Sequence, residues 1–218
     1  MGIQRGGARG ARQGPHAGFR SSVLALRRAC GTDTAAAPAR LVQGALLRAE
    51  EEDVVLDGAL VGMAAAQAAK LSLHKLLRSL LAYAWCRLHS YGGREVAELA
   101  AAAVKLECDD QRFFCCASAY CIQCPAAFSS LRDIVLLATA LLHAPGASLD
   151  LALALYGTAA AALPHLSVGG GGARDLAELL HALSLCLRAR PLAGGEPLHA
   201  TVAVQEAFNA AIAAVRPQ

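Results

Sequence analysis

Eight cysteines stand at positions 30, 86, 108, 115, 116, 121, 124 and 186, and five of them crowd into residues 108–124. Thiols this close in sequence suit metal binding or disulfide exchange. Cys121-Ile122-Gln123-Cys124 is a C-x-x-C pair, and Cys116, Cys121 and Cys124 have the C-x4-C-x2-C spacing of plant-type iron–sulfur proteins. A cluster would need a remote fourth thiolate and a glycine-rich loop, and the segment lacks that loop. Zinc would need four ligands, with His143 as a candidate fourth. The segment is helical in pattern, and there cysteine serves as a small buried apolar residue. That reading is favoured over a redox pair and over a metal site, so no cofactor is expected.

Other catalytic patterns are thinner. Glu178-Leu179-Leu180-His181 has the Glu-x-x-His spacing of di-iron helices, but such a site needs a second copy and two more glutamates. His74, His89, His143, His165 and His199 are scattered, and none adjoins a serine or cysteine in a nucleophile motif. The run Gly169–Gly172 lacks the Lys-Ser/Thr of a phosphate-binding loop and reads as a linker. The expectation is a non-catalytic protein without a small-molecule substrate.

The remaining chemistry is cationic. Lys70, Lys75, Arg78, Arg87, Arg94, Arg132 and Arg174 are candidates for contact with RNA phosphates. Arg94, Arg132 and Arg174 recur at one position of a repeated frame: Arg, an acid, an aliphatic residue, Leu three residues on, Ala three further. Stacked repeats would line these arginines along one edge. The competing reading pairs each with its adjacent acid, Glu95, Asp133 or Asp175, and the charge balance leans that way. Residues 1–40 hold seven arginines and one acid, whereas residues 41–218 hold 13 Lys/Arg against 16 Asp/Glu.

The frame starts at 94, 132 and 174, a period of 38 and then 42 residues. Such periods mark helical-hairpin repeats, whose apolar faces are buried only by stacking on neighbours. Composition agrees: 56% of the chain is hydrophobic, dominated by Ala and Leu, with 5% aromatic residues. The fold class expected is all-α, a short α-solenoid of about four helical hairpins behind a disordered or processed N-terminal leader. Mean hydropathy is +0.41. Pro145, Gly146, Pro164 and Gly169–Gly172 nevertheless interrupt the longest apolar runs, so no membrane-spanning helix is expected.

In chain order, residues 1–40 have the arginine-rich, acid-poor composition of a mitochondrial transit peptide. Within them Phe19, Val23, Leu24 and Leu26 oppose Arg20, Arg27 and Arg28 on a short amphipathic helix over 19–29. A basic tail that binds nucleic acid is the other reading. Residues 41–218 form the repeat domain. The run Glu50-Glu51-Glu52-Asp53 reads as the acidic first turn of a helix over 54–69, with a small-residue face at Gly58, Gly62, Ala65 and Ala66. A strongly amphipathic helix follows over 72–89, with Ser72 as its N-cap. Further hairpins pair 94–107 with 110–123, 131–143 with 148–163, and 174–189 with 198–215.

The frame residues Arg94, Glu95, Val96, Leu99; Arg132, Asp133, Ile134, Leu137, Ala140; and Arg174, Asp175, Leu176, Leu179, Ala182 carry a resemblance. The pattern resembles the heptatricopeptide and octotricopeptide repeats and the leucine-rich region of FAST-kinase-like organellar proteins. It covers about 94–215. The resemblance implies work on RNA in mitochondria or plastids, in processing, stability or translation, and in some cases membership of a divergent mitochondrial ribosome. Many such proteins carry a C-terminal RNA-associated domain, for which a chain ending at Gln218 has no room, so a small structural subunit is expected. The expected partners are other protein subunits of a large assembly in the mitochondrial matrix, and ribosomal RNA. The rival expectation is a protein scaffold of an organellar membrane complex without RNA contact.

Overall fold

The computed structural model describes residues 15–128, 130–142 and His181. Every regular element among them is helical. In order these are α1 (Pro15–Arg28), α2 (Thr32–Glu51), α3 (Gly58–Lys70), α4 (His74–Ala84), a 3-10 segment (Trp85–Ser90), α5 (Gly93–Lys105), α6 (Gln111–Gln123), a 3-10 turn (Pro125–Ala127) and α7 (Leu131–Leu142). The helices sort into two rows. In the first, α1 packs on α3, α3 on α5 and α5 on α7; in the second, α2 packs on α4 and α4 on α6. Hairpin partners α1–α2, α3–α4 and α5–α6 join the rows. The second half of the 131–163 hairpin, 148–163, and the whole hairpin expected over 174–215 lie outside the described residues, apart from the exposed, helical His181.

The boundary drawn at residue 40 falls inside α2. From Pro15 onward the expected leader is part of the fold. Phe19, Val23 and Leu26 of α1 are fully buried, and α1 packs against both α2 and α3. Their spacing of four and three residues is one helical stripe, and each contributes about 1.5–3 kcal/mol on burial. Arg20, Arg27 and Arg28 face solvent, as the amphipathic pattern required.

The acidic run is placed differently from expectation. Glu50 and Glu51 lie in the last turn of α2, and Glu52 is its C-cap. The helix dipole therefore opposes these charges. Asp57 caps α3 instead, its Oδ1 accepting the Ala59 N–H at 2.9 Å. Ser72 is not an N-cap either. It sits at φ 55°, matching Asp53 and Glu107 at φ 50°. At each of these points the following N–H (Val54, Leu73, Cys108) reaches back to the carbonyl of Ala49, Ala68 or Ala103 at 2.8–2.9 Å. Helices α2, α3 and α5 thus share one left-handed C-terminal closure. The helix expected over 72–89 is α-helical only to Ala84 and then tightens into the 3-10 segment.

The repeat frame is visible in the packing. Val96 and Leu99 of α5 and Ile134 and Leu137 of α7 are fully buried at matching positions, as are Ala102 and Ala140. A second equivalence is carried by tyrosines. Tyr83 Oη donates to the Val54 carbonyl at 2.6 Å and accepts the Leu56 N–H at 2.9 Å. Tyr120 Oη donates to the Tyr91 carbonyl at 2.6 Å, again 29 residues upstream. Helices α4 and α6 thereby each clamp the linker that precedes their own hairpin.

Tyr91 shows the opposite case. Its ring lies against Gly58, where a Cβ would come within 2.8 Å of it. Its hydroxyl is buried with no hydrogen-bond partner among the described residues, and burial pushes its pKa well up. An unpaired buried hydroxyl costs stability. Tyr91→Phe is therefore expected to leave stability unchanged or raise it by about 1 kcal/mol in urea unfolding.

Candidate nucleic-acid interface

Arg94 and Arg132 begin α5 and α7, which pack side by side, so the first two arginines of the frame lie on adjoining first-row helices. Both are exposed. Arg94 donates from Nε to Glu98 Oε1 at 3.2 Å, one turn on. That hydrogen bond is the main reason its pKa is raised. Glu98 rests over α3, where a Cβ at Gly62 would meet its Oε2 at 2.5 Å. Asp133 is half-buried, and burial raises its carboxyl above the ordinary range, opposed first by Arg94. Glu98 and Glu95 raise it further, and Arg132 lowers it. Two arginines and three carboxylates therefore share this patch, which neutralises the ladder's charge. Arg174 lies outside the described residues.

The charge patch predicts a pH effect. A carboxyl whose folded pKa is raised binds its proton more tightly in the native state, so it detracts from stability as pH rises through that pKa. Relative to Asp133→Asn, the wild type should lose stability as pH rises above about 4, the ordinary carboxyl value, with no further change at lower pH. Thermal unfolding of both proteins across that range checks this; a wild type that gains on the variant with rising pH contradicts it.

The other cations divide. Arg87 is turned inward, with 14% of its side chain exposed. Its guanidinium stacks on the Tyr83 ring at 4.4 Å, donates to the Tyr83 carbonyl at 3.2 Å and lies 3.7 Å from Asp53. It fastens the 3-10 segment to the end of α2, and the sequence had only its charge to show. Lys75 and Arg78 are exposed on α4. Arg112, which the sequence reading passed over, is exposed near the start of α6. The signal was present: Arg112 precedes Tyr120 by eight residues, as Lys75 precedes Tyr83.

The three cysteines with iron–sulfur spacing are not brought together. Cys116 is half-buried, Cys121 buried, and Cys124 exposed at the C-cap of α6. Five residues along a helix turn a side chain well away from its starting face. Among the described residues no three His, Cys, Asp or Glu side chains are placed to hold a metal ion. Burial pushes the Cys121 thiol up to about 12, so it stays protonated and unreactive. Cys116 is raised by burial and by its neighbours Cys115 and Cys86.

No described helix is long and apolar enough to cross a membrane. Compared with protein-family models, curated proteins and solved structures, the chain matches none.

Proposed function

We propose that this chain is a non-catalytic helical-repeat subunit of a mitochondrial ribonucleoprotein. It acts as a short α-solenoid, a structural component of a divergent mitochondrial ribosome or of an RNA-processing complex. The observation that carries the reading is internal repetition in three dimensions. Tyr83 and Tyr120 tie equivalent helices to carbonyls 29 residues upstream, so the hairpin containing α4 and the next one containing α6 are built to one plan. Stacked units of this kind extend a surface without assembling a reaction centre. Arg5, Arg9 and Arg12, in the acid-free stretch before α1, support import into mitochondria, and the exposed cations support contact with an RNA already held by other subunits.

The test is a sucrose gradient of an epitope-tagged version after mild lysis, with and without RNase. Sedimentation in large particles that collapse with RNase is the result expected. Migration with an RNase-insensitive, detergent-sensitive complex would sink the reading and favour a protein scaffold on a membrane complex.

A further inference from the structure

Helices α4 and α6 differ in charge from α5 and α7, and share the absence of acid with α1 and α3. First-row α5 and α7 mix Arg94 and Arg132 with Glu95, Glu98 and Asp133. Second-row α4 and α6 contain no acid at all, and α2 has none between Thr34 and Ala49. Their exposed charges are Arg40 and Arg48 with Asp33, Glu50 and Glu51 on α2, Lys75 and Arg78 on α4, and Arg112 on α6. The acids that precede α6 are Asp109 and Asp110, and Asp110 is engaged in capping, its Oδ1 accepting the Phe113 N–H at 3.1 Å.

These cations are in register. The tyrosine clamps hold α4 and α6 at equivalent positions, and Lys75 and Arg112 each stand eight residues before the clamping tyrosine. Adjacent packed helices lie about 8–10 Å apart, a spacing on the scale of successive phosphates of a single strand. Beside the charges of α4 and α6 stand small residues, Ala82 and Ala119, exposed one to two turns on, whereas on α2 Leu41 and Leu47 are exposed beside Arg40 and Arg48. A backbone can approach closely on α4 and α6. Trp85, 37% exposed, ends α4 and offers a face for a base.

We infer that the outer face of the second row, centred on Lys75, Arg78 and Arg112, is the RNA-contacting surface of this protein, and that it takes a single-stranded phosphate backbone. The inference rests on the ribonucleoprotein reading and moves its RNA contact from the frame arginines to the opposite row. On α4 and α6, separate cations set among small side chains with Trp85 exposed beside them favour a flexible strand over a membrane, which would meet a continuous apolar face.

The test is fluorescence anisotropy of the full chain with a labelled uridine 20-mer at two or more salt concentrations. A triple variant Lys75→Glu, Arg78→Glu, Arg112→Glu is compared with Arg94→Gln, Arg132→Gln, circular dichroism confirming that both fold. The second-row variant should lose at least tenfold in affinity, and its log–log salt slope should flatten by about two units. The first-row variant should bind within about twofold of wild type. Unchanged binding by the second-row variant overturns the inference. Loss confined to the first-row variant overturns it too, while leaving the ribonucleoprotein reading standing. Wild type that binds anionic vesicles but no RNA, or no polyanion at low salt, overturns the surface assignment; RNase-sensitive sedimentation then decides the broader reading separately.

Discussion

Tyr83→Phe is expected to destabilise the fold by about 2–4 kcal/mol, a large cost for removing one oxygen. The hydroxyl donates to the Val54 carbonyl and accepts the Leu56 N–H. Leu56 is buried, so its N–H has no water to turn to once the oxygen is gone. Leaving a buried backbone group unpaired costs about 1–3 kcal/mol, and two groups are affected. Tyr120→Phe frees only the Tyr91 carbonyl, so its cost should be about half as large. Urea unfolding of both variants checks the order. Equal, negligible losses would mean that the clamps do not hold the hairpins in register.

Gly93→Ala is expected to lose about 1–3 kcal/mol, despite the better helix propensity of alanine. A Cβ at position 93 would lie 2.5 Å from Phe128 Cδ1 and 2.7 Å from the Ala127 carbonyl oxygen. A ring can tilt, but a backbone carbonyl moves only with its linker. That linker leads into α7, and Phe128 packs edge-on against Tyr120 with ring centroids 6.0 Å apart. The change should therefore loosen the α5–α7 contact, and hydrogen exchange in α7 should rise. Gly44→Ala is the matched control. Nothing stands within 4 Å of its Cβ position, so the gain of about 0.5–1 kcal/mol for replacing a helical glycine should appear undiminished. Stabilisation at both positions would contradict the packing described at Gly93.

Helical class was legible because alanine and leucine recur with helical spacing through most of the chain. The repeat was legible through Val96, Leu99, Ile134 and Leu137, which occupy matching buried positions in α5 and α7. The first hairpin was not. Arginine dominates the composition of residues 1–40, and the stripe Phe19, Val23, Leu26 reads equally as a targeting helix or as a core-facing one. The packing of α1 on α2 and α3 places that stripe in the core, which the sequence does not show. The acids at 50–53 were misplaced for a related reason. Sequence shows their neighbours on both sides, but not which helix they close, and the closure depends on Asp53 adopting a left-handed conformation without being glycine.

The candidate surface was half legible. Lys75 and Arg78 stood out on a strongly amphipathic helix, whereas Arg112 follows two aspartates and reads as one of a mixed-charge group. Its register becomes visible only once Tyr83 and Tyr120 are seen as equivalent. Frame arginines mislead in the other direction. Their periodicity suggests a ladder, but periodicity does not show that Arg94 is bonded to Glu98 or that Asp133 lies among them. Arg87 misleads similarly, since burial of its guanidinium depends on the 3-10 turn that ends α4.

The most direct test of the account is ultraviolet cross-linking of the tagged full chain within its native particle, followed by mapping of RNA-bearing peptides. The account predicts cross-links on the peptides of α4, the Trp85–Ser90 segment and α6, near Lys75, Trp85 and Arg112. Cross-links confined to α5 and α7, or a particle in which this chain never cross-links to RNA, would contradict it.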